Sequence, residues 1–199
     1  MARAGLTTAR VVAAAADLAD EVGLENVTLS ALARGFGVKD ASLYSHVKNV
    51  RDLRTRIALL AAAEFAERAR AAVAGRAGKD ALVAFAHAYR DFARERPGRY
   101  AATQLPADPA ALAEEPGALR GIETTYAVLR AYGLREPDLT DAVRLLRATF
   151  HGYCALEASG GFNASRDVWA SWDRALDALH VALENWPVQQ QSSASTGAR

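Results

Sequence analysis

The stretch GVKDASLYSHVKNVRDL, Gly37 to Leu53, sets two lysines, a histidine, a tyrosine and two serines around a few aliphatic residues. On a helical wheel at about 100° per residue, Leu43 and Val47 share one side, while Ala41, Ser42, Tyr44, Ser45 and Lys48 spread around the other. One face anchors the segment and the other is offered outward. A solvated helix face is the ordinary reading of such polarity, so the flanks decide.

Upstream, Thr7 or Thr8 can cap a first helix in which Val11, Ala15, Leu18 and Val22 recur at helical spacing, and Gly23 is placed to end it. Thr28 precedes a short second helix containing Leu29, Leu32 and Ala33, stopped by Gly35 to Gly37. A third short helix starts at Val38, with Phe36 joining Leu43 and Val47 inward. Asn49, with Asp52 three residues on, caps a long helix reaching about Gly75. Long helix, short helix, glycine turn, short helix, long helix is the order of a helix-turn-helix module. A helix entering the DNA major groove needs short side chains near base edges and hydroxyls or cations at its flanks for phosphates. Ala41, Ser42 and Ser45 meet the first need; Tyr44, His46 and Lys48 meet the second.

The remaining pattern is also helical, so the expected fold is all-α with about nine helices. Further helices are expected near residues 78–96, 99–105, 118–132, 138–159 and 166–186. Pro106, Pro109 and Pro116 mark an irregular loop between the second and third of these. The expected organisation is a DNA-binding domain over 1–52, a ligand-binding and dimerisation domain over 53–187, and a disordered tail over 188–199, where QQQSSASTGAR offers no apolar residue beyond alanine.

The net charge is +1, and residues 1–60 hold 8 Lys+Arg against 6 Asp+Glu, a weak and local basic bias. The single cysteine, Cys154, excludes an intramolecular disulfide. Val11 to Ala16 is too short for a signal-peptide core, and Ile57 to Ala63 falls far below the roughly 20 residues of a membrane span. The expectation is a soluble cytoplasmic protein that needs no cofactor and contacts no membrane.

LARGFGVKDASLYSHVKNVRDL, Leu32 to Leu53, resembles the DNA-binding domain of the TetR family of transcriptional regulators, a resemblance that covers about residues 8 to 60. RPGRYAAT, Arg96 to Thr103, is similar to the start of the family's sixth helix. LRATFHGYCALEASGGF, Leu146 to Phe162, resembles a branch whose eighth helix carries a His-Gly pair, here His151 and Gly152. The resemblance implies that Thr28, Ser42, Tyr44, His46 and Lys48 hold phosphates, while Lys39, Asp40, Ala41 and Ser45 face bases. It also implies repression of a palindromic double-stranded operator, relieved when a small molecule shifts the sixth helix and the carboxy end of the fourth. Two positions depart from the family pattern: Ser30 and Ala31 replace a basic residue early in the second helix, and Val50 replaces another at the start of the fourth. Arg3 and Arg10 are expected to supply part of that charge.

Two large amphipathic helices in the second half suit a four-helix homodimer interface, with Leu139, Val143 and Leu146 on one and Trp172, Leu179 and Trp186 on the other. Two-fold pairing would set the readers on half-sites about 34 Å apart. His87, Tyr89, Phe92, Tyr100, Gln104, Tyr126, Phe150, His151 and Tyr153 form the mixture of apolar wall and sparse polar points that a small-molecule pocket needs. The rival readings are a helical enzyme using His151 and Cys154, three apart on one helix, and a protein-binding adaptor. Against catalysis, the sequence has no HExxH, CxxC, GxSxG or phosphate loop, and His46, His87, His151 and His180 lack metal-ligand spacing.

Overall fold

The computed structural model describes residues 5–106, 109–113 and 115–187. Arg3 and the tail over 188–199 lie outside the described residues. Among the described residues there are nine α-helices, two short 3-10 turns and no strand.

Local chemistry sets the helix ends. The Thr7 hydroxyl oxygen accepts from Arg10 N–H and starts α1, Thr8–Val22, which Gly23 ends at φ 89°. Thr28 does the same for Ala31 N–H and starts α2, Leu29–Phe36. Gly37, left-handed at φ 64°, ends α2. Asn49 accepts from Asp52 N–H at 2.9 Å and starts α3, Val50–Val73, while the Asp52 carboxylate reaches back to Lys48 N–H at 2.8 Å.

The rest of the chain adds α4 (Gly78–Glu95), α5 (Pro97–Thr103), α6 (Pro109–Ala113), α7 (Pro116–Arg130), α8 (Asp138–Ala158) and α9 (Val168–Glu184). Three of these differ from the sequence expectation through one cause. Pro109 and Pro116, expected to lie in an irregular loop, each stand first in a helix, as does Pro97 after the end of α4; there a missing N–H costs nothing and the fixed φ fits.

The reader segment differs as well. Instead of a continuous α-helix from Val38, it is a 3-10 turn at Asp40–Ser42 followed by further turns. Ser42 N–H and Leu43 N–H donate three residues back, and only Val47 N–H, to Leu43 O at 3.0 Å, closes an α-type turn. The stretch is short and ends against the extended Asn49 cap, and the Ser45 hydroxyl donates back to Ser42 O at 2.9 Å. Such local bonds compete with α-helical ones.

The buried residues form two cores. The first gathers Val11, Ala15, Leu32, Leu43, Val47 and Ile57, and Ala102 of α5 belongs to it. The second gathers Leu82, Phe85, Leu129, Phe150, Trp172 and Leu176. Helix α3 contributes Leu53 and Ile57 to the first and Ala69 to the second, so one rod runs through both.

The expected dimer residues need correction. Leu139, Leu146, Trp172 and Leu179 are all buried inside their own chain, Val143 lines an internal cavity, and Trp186 packs half-buried on the second core. Periodicity shows which stripe of a helix is apolar, and here α4 and α7 of the same chain take the richest stripe. What α8 and α9 turn outward is a lesser stripe: Leu145, Ala148, Ala155 and Leu156 on one, and Ala178, Val181 and Ala182 on the other.

Candidate nucleic-acid interface and ligand cavity

The reader turn is anchored by Leu43 and Val47, which are 0% and 2% exposed, and by the Thr8 hydroxyl, which lies 3.5 Å from His46 O. These contacts leave Lys39, Asp40, Ala41, Ser42, Tyr44, Ser45 and Lys48 exposed, with Tyr44 the most open large side chain of the set at 58%; His46 is half-buried. Thr28 is exposed, and although its oxygen is used in capping α2, its O–H remains a donor. The Ser30 hydroxyl donates to the Asp40 carboxylate. The serine that stands where the family pattern has a cation therefore orients the one acid of the turn. Arg10 donates to Gly5 O at 3.1 Å, just before the start of α1.

On the far side of α1, α5 is fixed by backbone contact and charge. A Cβ at Gly98 would stand 2.1 Å from the Ala19 carbonyl, so only glycine permits this approach. The next residue, Arg99, is 5% exposed; its Nη2 donates to Asp17 at 2.8 Å, its backbone N–H to Asp20 at 2.9 Å and its Nη1 to the second Asp20 oxygen, while Nε lies 3.0 Å from Glu64. Burial alone would lower the Arg99 pKa, and the hydrogen bonds to Asp17 and Asp20 with the Glu64 charge reverse this into a net rise. Arg96 adds a looser pair to Asp20 at 3.8 Å. Both lie within the RPGRYAAT stretch, but neither the close approach of Gly98 to α1 nor the burial of Arg99 is signalled by the sequence.

The opposite side of α5 faces a cavity of about 530 Å³ between α3, α4, α7 and α8. Phe65, Phe85, Phe92 and Phe150 line it, with Tyr89 set between Phe65 and Phe150 at centroid distances of 5.5 Å. Tyr100, Thr103 and Gln104 form the α5 wall. A hydrogen-bond chain runs from Tyr89 OH to Tyr100 OH at 3.1 Å and on to His151 Nδ1 at 2.7 Å. Burial raises both phenol pKa values, so the tyrosines stay neutral.

Of the nine residues expected in a pocket, Tyr89, Phe92, Tyr100, Gln104, Tyr126 and Phe150 line this cavity. His151 stands behind Tyr100, outside the wall. Two are elsewhere and require correction: His87 pairs with Asp173 at 3.2 Å and stacks near Trp169 in a separate cleft, and Tyr153 packs on Phe162 and Trp172. Their aromatic character is spent on packing α4 and α8 against α9. Arg147 lines the cavity and went unnoticed, although its spacing from Val143 and Phe150, four and three residues, places all three on one helix face.

Cys154 is buried, and burial together with the Glu157 charge pushes its thiol up to about 11. At neutral pH it is a protonated small hydrophobe rather than a nucleophile. Among the described residues no group of three or more His, Cys, Asp and Glu side chains could hold a metal ion, and no helix is long and apolar enough to cross a membrane.

The family profile described as bacterial regulatory proteins, tetR family, matches residues 11–56, and one described as tetracyclin repressor-like, C-terminal domain, matches residues 82–179. The HTH-type transcriptional regulator YobS of Bacillus subtilis, itself uncharacterized, is 31% identical over 169 residues, covering 85% of this chain and 88% of that protein. The chain belongs to the TetR family of transcriptional regulators. Two solved structures align along most of its length. BioQ with its double-stranded DNA operator superposes with a TM-score of 0.67 at 22% identity, covering 91% of this chain and 99% of BioQ. A TetR variant from Acinetobacter baumannii in complex with minocycline superposes with a TM-score of 0.69 at 24% identity, covering 91% and 98%. At these identities the likeness shows the shared fold.

Proposed function

We propose that this TetR-family regulator binds a palindromic operator in the cytoplasm as a homodimer, represses from it, and is released when a small molecule enters the cavity behind α5. In this reading residues 1–52 form the DNA-binding unit and 53–187 the ligand-binding and dimerisation unit. The observation that carries it is the two-sidedness of α5. Gly98, Arg99 and Ala102 are built into the DNA-binding unit, while Tyr100, Thr103 and Gln104 form the cavity wall, so a ligand pressing on α5 moves α1 with it. The reader turn rides on the same core as α1. A ligand preferring the released arrangement by 100-fold supplies about 2.7 kcal/mol of coupling.

At the turn, Lys39, Asp40, Ala41 and Ser45 face bases, and Thr28, Ser42, Tyr44, His46 and Lys48 face phosphates, with Arg3 adding charge. One turn this short reads few bases, which favours pairing. The outward stripe of α8 and α9 suits it, because alanines at Ala148, Ala155, Ala178 and Ala182 let helices of two copies approach closely. The similar proteins, a regulator in one case and an operator complex and a minocycline complex in the others, support the same reading.

Selection of bound fragments from random-sequence DNA, followed by gel-shift titration, tests it. The expected outcome is an enriched inverted repeat bound with steep salt dependence. Binding without an enriched repeat would overturn operator recognition. Sedimentation of Ala148→Arg and Val181→Asp variants tests the pairing face, and a dimer undisturbed by both would remove it.

A further inference from the structure

The polar groups around the cavity differ in whether the protein itself satisfies them. Tyr89 and Tyr100 bond to each other and on to His151. The Thr103 hydroxyl donates to Tyr100 O, Gln104 donates to Thr103, and the Thr125 hydroxyl donates to Gly121 O. Only Arg147 and Tyr126 among the polar lining residues have no hydrogen-bond or ion-pair partner among the described residues, and Arg147 is the one charged group in the described wall. Its charge reaches inward: burial raises the pKa values of the Tyr89 and Tyr100 phenols, and Arg147 opposes that rise at both.

An adjoining cavity of similar size, between α3 and the segment after α5, shares Ala62, Thr103, Leu105, Pro106 and Leu112 with the first. Its described lining carries Arg51 and Arg54 and no carboxylate. Among the described lining residues the two neighbouring cavities pair an aromatic floor with cations at the edges and hold no carboxylate.

We propose that the cavity takes an organic anion with a flat or bulky apolar body, its carboxylate or comparable acidic group held by Arg147. The apolar body is desolvated among Phe65, Phe85, Phe92 and Phe150, and the guanidinium meets the acidic group as a two-pronged donor. The hydroxyl chain, already satisfied, asks for no polar group from the ligand and leaves the charge as the principal reader of ligand class. This inference deepens the effector reading above and rests on it.

The test is calorimetric titration of the purified full chain with three probes of matched size: 1-naphthaleneacetate, 2-(1-naphthyl)ethanol and 2-(1-naphthyl)ethylammonium. The acid is expected to bind at least about 10-fold more tightly than the alcohol, with the ammonium weakest. Arg147→Gln should bring the acid to the level of the alcohol, and Arg147→Lys should keep part of the preference. Arg147 is exposed, so both variants should fold. Equal binding of acid and alcohol, no acid binding at millimolar concentration, or a preference that survives Arg147→Gln would each overturn the proposal. Operator release, followed by gel shift with the same three probes, separates the two readings. An anion preference without release leaves the site and removes its coupling. Release by the alcohol or the ammonium alone keeps the coupling and removes the anion.

Discussion

The two sides of α5 are held by different chemistry. Toward α1, Gly98 lies against backbone and Arg99 meets three carboxylates, so that side has little room to slide. Toward the cavity, Tyr100 and Gln104 face open space and are fixed by hydroxyl and amide bonds that a ligand can rearrange. A short helix stiff on one side and yielding on the other transmits displacement instead of absorbing it. Substitutions that break the stiff side should disturb DNA binding without any ligand; those on the yielding side should disturb only the response to one.

The largest effect is expected from Gly98→Ala. Its Cβ would meet the Ala19 carbonyl at 2.1 Å, and neither backbone can retreat without separating α5 from α1. The expected loss is about 3 kcal/mol or more by urea denaturation, since overpacking against backbone lies at the costly end of its range. Wild-type stability in this variant would show that the two helices part easily and would end the picture of a stiff side.

Arg99→Met follows. It removes the guanidinium from Asp20, whose side chain is only 10% exposed, while Asp17 and Glu64 can turn to water. Breaking a buried pair from one end costs about 3–5 kcal/mol, and the exposed partners place this case near the lower limit. Operator affinity should fall with stability. A variant that loses stability but keeps both operator affinity and ligand release would confine Arg99 to a structural role.

Much of this was legible in the sequence, and what was not has a common physical reason. Thr7, Thr28 and Asn49 make the cap bonds expected of them, and Gly23 and Gly37 take the positive φ their positions suggested, because caps and turns are decided within a few residues. The reader stretch was legible in its faces but not in its winding, since Leu43 and Val47 point inward in either form. Trp172 and Leu146, expected at a dimer interface, are buried in their own chain, because an apolar stripe does not name what covers it. Arg99 and Arg147 escaped notice because a charge on an amphipathic helix reads as solvated; only packing reveals that one is buried on three acids and the other borders a cavity.

Tyr100→Phe probes the yielding side with less force. The ring stays, and the lost hydroxyl leaves Tyr89 OH and His151 Nδ1 without their shared partner. A cost of about 1–2 kcal/mol is expected, because Tyr89 is half-buried and His151 can turn to water. Operator affinity without ligand should be within a few-fold of wild type, while the ligand concentration needed for release should change. A large loss of operator affinity would mean that the cavity side is as rigid as the clamp and that the contrast between the sides is false.

Lys48→Ala has the smallest effect on the fold and separates contact from coupling. The side chain is exposed, and the bond at this residue runs from its backbone N–H to Asp52, which alanine keeps. Stability should stay within about 0.5 kcal/mol of wild type. If Lys48 meets a phosphate, its removal weakens binding across sequences and flattens the plot of log affinity against log salt by about one unit. Arg99→Met should do the opposite, lowering affinity at every salt concentration while leaving the slope alone, because it changes how often the turn is presented correctly and not how many phosphates it meets. Equal slopes for Lys48→Ala and wild type would remove Lys48 from the phosphate contacts. A slope flattened by Arg99→Met would show that loosening α5 costs phosphate contacts directly, and the clamp would then belong to the DNA interface itself.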